Sequence, residues 1–563
     1  MGWAAGLVGE DERAADLIRG LSAASLHFEA SPSLMLASGG IPETCLAGRD
    51  MQGGWLVVGL GLACGRESVR VLSASDWSAR LLSNVPGPGE SDGHWAAIRW
   101  DDRGVKGWTD RVGLRTLYAA QLPGGVAFST RLDWTARMCG RSEIDWETFG
   151  SRWLCANQIS CESPVKGIVR IGPGGRFAFG RDGLRLSSRR WMPGSGETGE
   201  GTLEEALASC LRHPPEARLA LGLSGGLDSR VLLALLRGMG ARCAVFTVGS
   251  AGDPDADVAS RIAGDLGLEL RAFVPGIPPA GELMEEGARY AAHSQAAEPL
   301  SSFLKLRHYG DLHAAGFLIV DGGLGEIARR QYLNRVLRSR GAVHFPSRGR
   351  TLLKGLRLRR GGFFTPETER LMEKGALEQS ALQAEELARM KEFGPENKAD
   401  LFAVWTRFPN FGGHEQVRCD AEAASYTPFA QTRVLEAVFG TPPRARRGGR
   451  GVRDIVRRRC PALVQYPLAG NAGVLPFGFP PWGVKILGRF RSAGREQLRR
   501  AFLAAAEPAV RDLVRSDKTR WFGAYDYPRL LEAVEGYYGG DRKRARELDW
   551  WLAFELWRRG LEG

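Results

Sequence analysis

The stretch RLALGLSGGLDSRVLLALLRGMG, residues 218 to 240, constrains the fold of this chain more than any other. Leu219 to Leu223 is a short apolar run bounded by glycine, as in a buried parallel strand. Arg230 to Leu236 carries helix formers that stop at Gly238 and Gly240. Ser-Gly-Gly-Leu-Asp-Ser therefore falls on a strand-to-helix turn. Such a turn presents free backbone N–H groups and the positive end of a helix dipole. Gly225 and Gly226 let a ligand approach the main chain closely, so the motif predicts an anion site.

Around this turn the chain divides. Residues 1–192 hold short apolar runs with turn signals, such as GGWLVVGLGLAC, HWAAIRWDDRG and VKGIVRIGPGGRFAF, which read as strands and hairpins. Residues 192 to 202, MPGSGETGEGT, read as a linker. In 193–563 the runs ARLALGLSGG, ARCAVFTVGS, LELRAFVPG and GFLIVDGG alternate with helical patterns, which predicts a parallel α/β sheet. From about residue 363 the pattern is mainly helical, as in EQSALQAEELARMKEF and DWWLAFELWRRGL.

Composition excludes several classes. No apolar run approaches the roughly 18 residues of a membrane helix, and MGWAAGLVGEDERAADLIRG lacks the basic start of a secretory signal, so a cytoplasmic protein without a membrane partner is expected. The nine cysteines show no C-x-x-C pair and read as buried free thiols. The net charge of +12 concentrates in the acid-free stretch from Arg329 to Arg360 and in Arg444 to Arg459. These clusters suit either a solvated surface or a wall facing polyphosphate or an acidic peptide. Their few aromatic residues argue against nucleic acid.

Ser224 to Ser229 lacks the spacing of a P-loop kinase and of a dinucleotide fingerprint. It resembles the pyrophosphate loop of the ATP pyrophosphatases, which cleave ATP to AMP and pyrophosphate. VFTVGSAGDPDADVASRIAGDLGLEL, residues 245 to 270, resembles the next strand and helix of the asparagine synthetase fold, with the helix beginning at Asp255 and running to Leu266 and Gly267. EPLSSFLKLRHYGDLHAAGFLIVDGGLGEIARR resembles that family's strand and S-G-x-G-x-D-E loop, one residue short. HWAAIRWDDRGVKGWTDRVGLRTLYAAQLPGGVAFSTRLDWTA, residues 94 to 136, is similar to the family's glutamine-amidohydrolase domain. The resemblance thus spans the asparagine synthetases, β-lactam synthetases and lasso-peptide cyclases. It implies an N-terminal Ntn-hydrolase-like αββα sandwich, then an α/β ATP pyrophosphatase synthetase domain with a helical C-terminal part.

It also implies roles. Leu223, Ser224, Gly225, Gly226, Leu227, Asp228 and Ser229 would hold the phosphates of ATP, Thr247 and Val248 the adenine, and Gly322 and Gly323 the second loop. Asp228 and Glu326, or Asp321 in place of Glu326, would hold Mg²⁺. The glutamine-using members carry an N-terminal cysteine nucleophile; here Gly2 stands in its place, which implies a domain without glutaminase activity. The family's charge-stabilising lysine is matched by Leu468 in QYPLAGNAG, leaving Lys485, Arg329 or Arg330 to supply the cation. Three readings follow: an amide synthetase closing a macrolactam on a precursor peptide, with a protease or leader-binding protein as partner; an ammonia-using enzyme acting on a small acid; or an inactive nucleotide-binding scaffold.

Overall fold

The computed structural model describes residues 2–563 except 32, 52, 65–67, 83–90, 156–157, 195–200, 215–216, 251, 341, 359, 471–472 and 480–492. Two antiparallel sheets build the N-terminal part. The first runs in the spatial order Val169–Ile171, Leu117–Leu122, Gly125–Ser129, Trp3–Val8, Leu34–Gly39, His27–Ser31. The second runs Gly183–Ser188, Gly175–Gly180, Gly104–Thr109, Asp92–Asp101, Gly53–Cys64, Cys45–Asp50, with Val69–Val71 also paired to Gly53–Cys64.

Side-chain alternation explains the layering. Leu56, Val58, Ala96, Ile98, Phe128 and Phe177 fill the space between the sheets. Their neighbours Val57, Trp55 and Ala97 face the opposite way and pack beneath the helix Ala74–Leu82 through Trp77. On the other side, Ala5 and Leu7 meet Ile18 and Met138 of the helices Glu12–Leu21 and Leu132–Cys139. The result is helix, sheet, sheet, helix. The strand Gly53–Cys64 reads as a continuous apolar run because both of its faces are covered.

The second half is organised by a five-stranded sheet in the order Leu270–Phe273, Cys243–Val248, Leu219–Gly222, Leu318–Val320, Ser425–Tyr426, parallel throughout. The strand Leu219–Gly222 comes first in the chain and lies at its centre, with Leu221 opposite Val245 on one side and Val320 on the other. Succeeding strands lead away in both directions, so the carboxyl end of Leu219–Gly222 is a topological switch point, where open α/β sheets bind ligands. The helix Leu227–Gly238 is buried along most of its length.

The helical remainder is tied to the sandwich. The helix Trp146–Leu154 leaves the N-terminal half and enters an aromatic core in which Phe149 stacks on Trp557 at 5.5 Å and Trp153 meets Phe364 edge-on at 5.2 Å. Its neighbours there include the helices Pro366–Arg389 and Ala545–Glu562. Buried charge adds a second tie. Asp420 accepts from Arg115 Nη1 at 2.8 Å and Gln416 Nε2 at 3.0 Å and lies 3.1 Å from His94 Nε2. Among the described residues no helix is long and apolar enough to cross a membrane.

Candidate active site

The turn after Leu219–Gly222 is held by its own two serines. Ser229 Oγ accepts from the Ser224 amide at 3.1 Å and lies 3.1 Å from Ser224 Oγ, which accepts from the Gly226 amide at 3.1 Å. Gly225 N donates to Asp255 Oδ1 at 3.1 Å. Gly226 is the N-cap of the helix Leu227–Gly238 and no side chain caps it, so the first-turn amides remain available to an anion. Leu223 and Leu227 are buried anchors on either side of the turn. A β-carbon on Gly225 would lie 2.4 Å from Ala469 Cβ, so glycine is required there by the close approach of a second segment.

Thr247 and Val248 end the neighbouring strand, with Thr247 buried. The following helix is Pro254–Asp265, one residue earlier than the sequence implied, because Asp253 is its cap and accepts from Asp255 N at 3.0 Å. Leu266 closes it, and Gly267 turns away at φ +61°.

The second loop comes from the end of Leu318–Val320 and lies against the helix start. A β-carbon on Gly322 would be 3.0 Å from Ser229 N, and one on Gly325 would be 2.3 Å from Asp228 Cγ. This brings Asp321, Glu326 and Asp228 into electrostatic reach of one another. Burial pushes the Asp228 carboxyl up to about 6; Arg329 opposes the rise, while Glu326 and Asp321 reinforce it. Burial also raises Asp321, whose Oδ1 accepts from Gly323 N at 2.5 Å. Asp228 Oδ2 is paired with Arg329 Nη2 at 2.5 Å, whereas Asp228 Oδ1 is buried and has no hydrogen-bond partner. That orphaned oxygen suits Mg²⁺, which takes one or two carboxylates and completes its shell with phosphate and water oxygens. Among the described residues no three His, Cys, Asp or Glu side chains form a ready-made metal cage.

Of the cations proposed from sequence, the structure brings one to the site. Arg329 is there. Arg330 turns into the interior, where it pairs with Asp400 at 3.1 Å beside Arg446, 2.6 Å from the same carboxylate. Lys485 lies outside the described residues. Leu468 opens a short hairpin, Leu468–Gly470 with Gly473–Leu475, that lies on the turn through Ala469 N donating to Gly225 O at 2.9 Å. An aliphatic side chain therefore stands beside the turn.

Several arginines of the basic clusters pair with acids distant in sequence. Arg447 pairs with Glu396, Arg458 and Arg459 with Glu204, and Arg357 with Glu373. Gly2 is buried: a β-carbon would lie 2.3 Å from Thr44 O, and the Gly2 carbonyl accepts from Arg115 Nη2. One residue escaped sequence reasoning. Glu415 shares a small cavity with Asp321, Gly323, Leu324 and Tyr309. Its side chain is solvent-accessible, yet the surrounding protein withdraws it from bulk water and, with Glu298 and Asp321 adding like charge, pushes its carboxyl up to about 8. No motif marks it: in FPNFGGHEQVRC the carboxylate sits among the polar residues His414, Gln416 and Arg418, and nothing in the sequence sets it apart from them.

Residues 199–280, which hold the turn, its helix and the strand Cys243–Val248, match the asparagine synthase family model. No curated protein matches the chain. Among solved structures it has a likeness to a glutamine phosphoribosylpyrophosphate amidotransferase from B. subtilis complexed with ADP and GMP, at 10% identity over 57% of this chain and 75% of that one, with a TM-score of 0.21. A second is described as the allosteric regulatory enzyme of purine biosynthesis, at 9% identity over 49% and 76%, also with a TM-score of 0.21. Likenesses this low carry no weight beside the chain's own sheets.

Proposed function

We propose that the protein adenylates a carboxylate with ATP, releases pyrophosphate, and joins the acyl group to an amine without taking that amine from glutamine. The observation that carries this is the Ser224–Ser229 turn, with its uncapped helix N-terminus at the switch point and the free Asp228 Oδ1 beside it. The turn amides, Ser224 and Ser229 would bind the β- and γ-phosphates; Thr247 and Val248 would border the adenine. Asp228, with Glu326 or Asp321, would hold Mg²⁺, which neutralises polyphosphate charge when bound.

In the first step a substrate carboxylate oxygen attacks the α-phosphorus, and the electron pair of the breaking P–O bond leaves with pyrophosphate. In the second an amine attacks the acyl carbon and AMP leaves. The amine must lose a proton to something. Glu415, beside Asp321 and raised to about 8, is the base in this reading. Gly2 supports the absence of glutaminase chemistry, since its surroundings leave no space for a side chain. An amine held within the same substrate would benefit from high effective molarity, as in closure of a macrolactam on a precursor peptide. Asp228→Ala should abolish ATP cleavage to AMP and pyrophosphate while leaving the circular dichroism spectrum unchanged; a variant that still cleaves ATP at the wild-type rate would remove Asp228 from the site and refute the assignment.

A further inference from the structure

Pyrophosphate leaves with more charge than a helix N-terminus alone can balance, and the Ser224–Ser229 turn contains no lysine or arginine. The hairpin that covers it contributes Leu468 and Ala469. Among the described residues, four arginines come near enough to be considered. Arg230 is fully buried behind the turn and spends its guanidinium on the carbonyls of Tyr466 and Pro467, both at 2.7 Å, and of Gly225 at 3.2 Å. Arg330 is committed to Asp400. Arg453 donates to the carbonyl of Phe477.

Arg329 differs from all three. Its Nη2 is 2.5 Å from Asp228 Oδ2, its Nη1 is 2.6 Å from Gln331 Oε1, and 17% of its side chain remains exposed. It therefore sits on the ligand side of the turn rather than behind it. Two glycines make that placement sterically possible. Gly325 lets the second loop pass directly over Asp228, and Gly449, at φ +73°, would bring a β-carbon within 3.3 Å of Arg329 Cγ. A side chain at either position would displace the loop or the arginine.

We propose that Arg329 is the cation that stabilises the departing pyrophosphate, a role for which Leu468 offers nothing. Asp228 holds the guanidinium at the mouth of the anion site before nucleotide binds. A polyphosphate then competes for it, and a planar, permanently charged fork suits bidentate contact with phosphate oxygens. Arg329 is thus a catalytic residue contacting substrate, and Asp228 is its positioning partner. This inference rests on the ATP-dependent reading above.

Calorimetric titration with ATP, inorganic pyrophosphate and AMP, on wild type, Arg329→Gln, Arg329→Lys and Arg329→Gln combined with Leu468→Lys, tests it. Arg329→Gln should weaken pyrophosphate and ATP roughly tenfold or more and leave AMP within about twofold, because AMP lacks the leaving phosphates. Unchanged AMP affinity also reports an intact fold. Arg329→Lys should lie between wild type and Arg329→Gln, and Leu468→Lys in the Arg329→Gln background should restore part of the pyrophosphate affinity. Equal weakening of AMP and pyrophosphate would show a structural role and overturn the inference, as would unaltered pyrophosphate binding in Arg329→Gln. A wild type that binds ATP while Arg329→Gln matches it sinks only this inference; a wild type that binds neither ATP nor pyrophosphate sinks the ATP-dependent reading with it.

Discussion

Asp420→Asn probes the buried charge that ties the sandwich to the helical half. Asp420 is fully buried, and Arg115, 1% exposed along its side chain, reaches it from the loop between the strands Gly104–Thr109 and Leu117–Leu122. The other end of that guanidinium is on the Gly2 carbonyl, so one arginine links the residue preceding the first strand, the loop after Asp110 and the segment around Asp420. Asparagine keeps an acceptor of the same shape and removes the charge. Breaking a buried pair from one side costs about 3–5 kcal/mol, and the retained oxygen places this substitution near the lower end, about 3 kcal/mol. Burial acts to raise the Asp420 carboxyl, but His94, Arg115 and Gln416 outweigh it and hold the group below its ordinary value of 3.8. A depressed carboxylate contributes stability that is complete above the unfolded value and disappears as the pH falls through the folded one. The gap between wild type and variant in urea unfolding, followed by tryptophan fluorescence, should therefore be full at pH 7 and close as the buffer is taken below about pH 4. A loss under about 1 kcal/mol at pH 7, or a gap that widens in acid, would show that the Asp420 charge does not tie the two halves together.

Three further outcomes follow from the same geometry. Gly2→Cys should destabilise the protein by about 1–3 kcal/mol through overpacking against Thr44 and should release no glutamate from glutamine; measurable glutaminase activity in the variant would contradict the closed packing. Glu415→Gln should slow amide formation by roughly 10²-fold or more while sparing ATP–pyrophosphate exchange, and the wild-type rate of amide formation should climb with pH toward a plateau above about 8 as the carboxyl ionises. A flat profile, or equal loss of both steps, would remove Glu415 as the base. Gly325→Ala should disturb the second loop enough to break the Asp228–Arg329 pair, read as weaker pyrophosphate binding than wild type in the same titration, since a β-carbon there overlaps Asp228.

The centre of the fold was legible in the sequence because its signals are local. A short apolar run, two glycines and a block of helix formers specify the strand, turn and helix from Leu219 to Gly238, and all three formed where expected. The continuous apolar run in Gly53–Cys64 likewise announced a strand, though not that helix and sheet would cover it from opposite sides. What stayed hidden depends on partners far apart in the chain. The acid-free run from Arg329 looked like open positive surface, but Asp228, Asp400 and Glu373 come from elsewhere in the chain to pair with Arg329, Arg330 and Arg357. Glu415 becomes notable only when the sheet brings Asp321 beside it. Arg329 and Arg330 are adjacent and chemically identical, and only the turn of the second loop sends one to Asp228 and the other to Asp400.

Carboxylate adenylation is read without intermediate steps by ATP–pyrophosphate exchange. Purified protein would be supplied with Mg²⁺, ATP and labelled pyrophosphate, alone and with a peptide bearing a free amine and a side-chain carboxylate, or with aspartate and ammonia. Label should enter ATP only when a carboxylate substrate is present, more strongly with the peptide, and not at all in Asp228→Ala. Exchange that proceeds without a carboxylate, or survives in Asp228→Ala, would contradict the account.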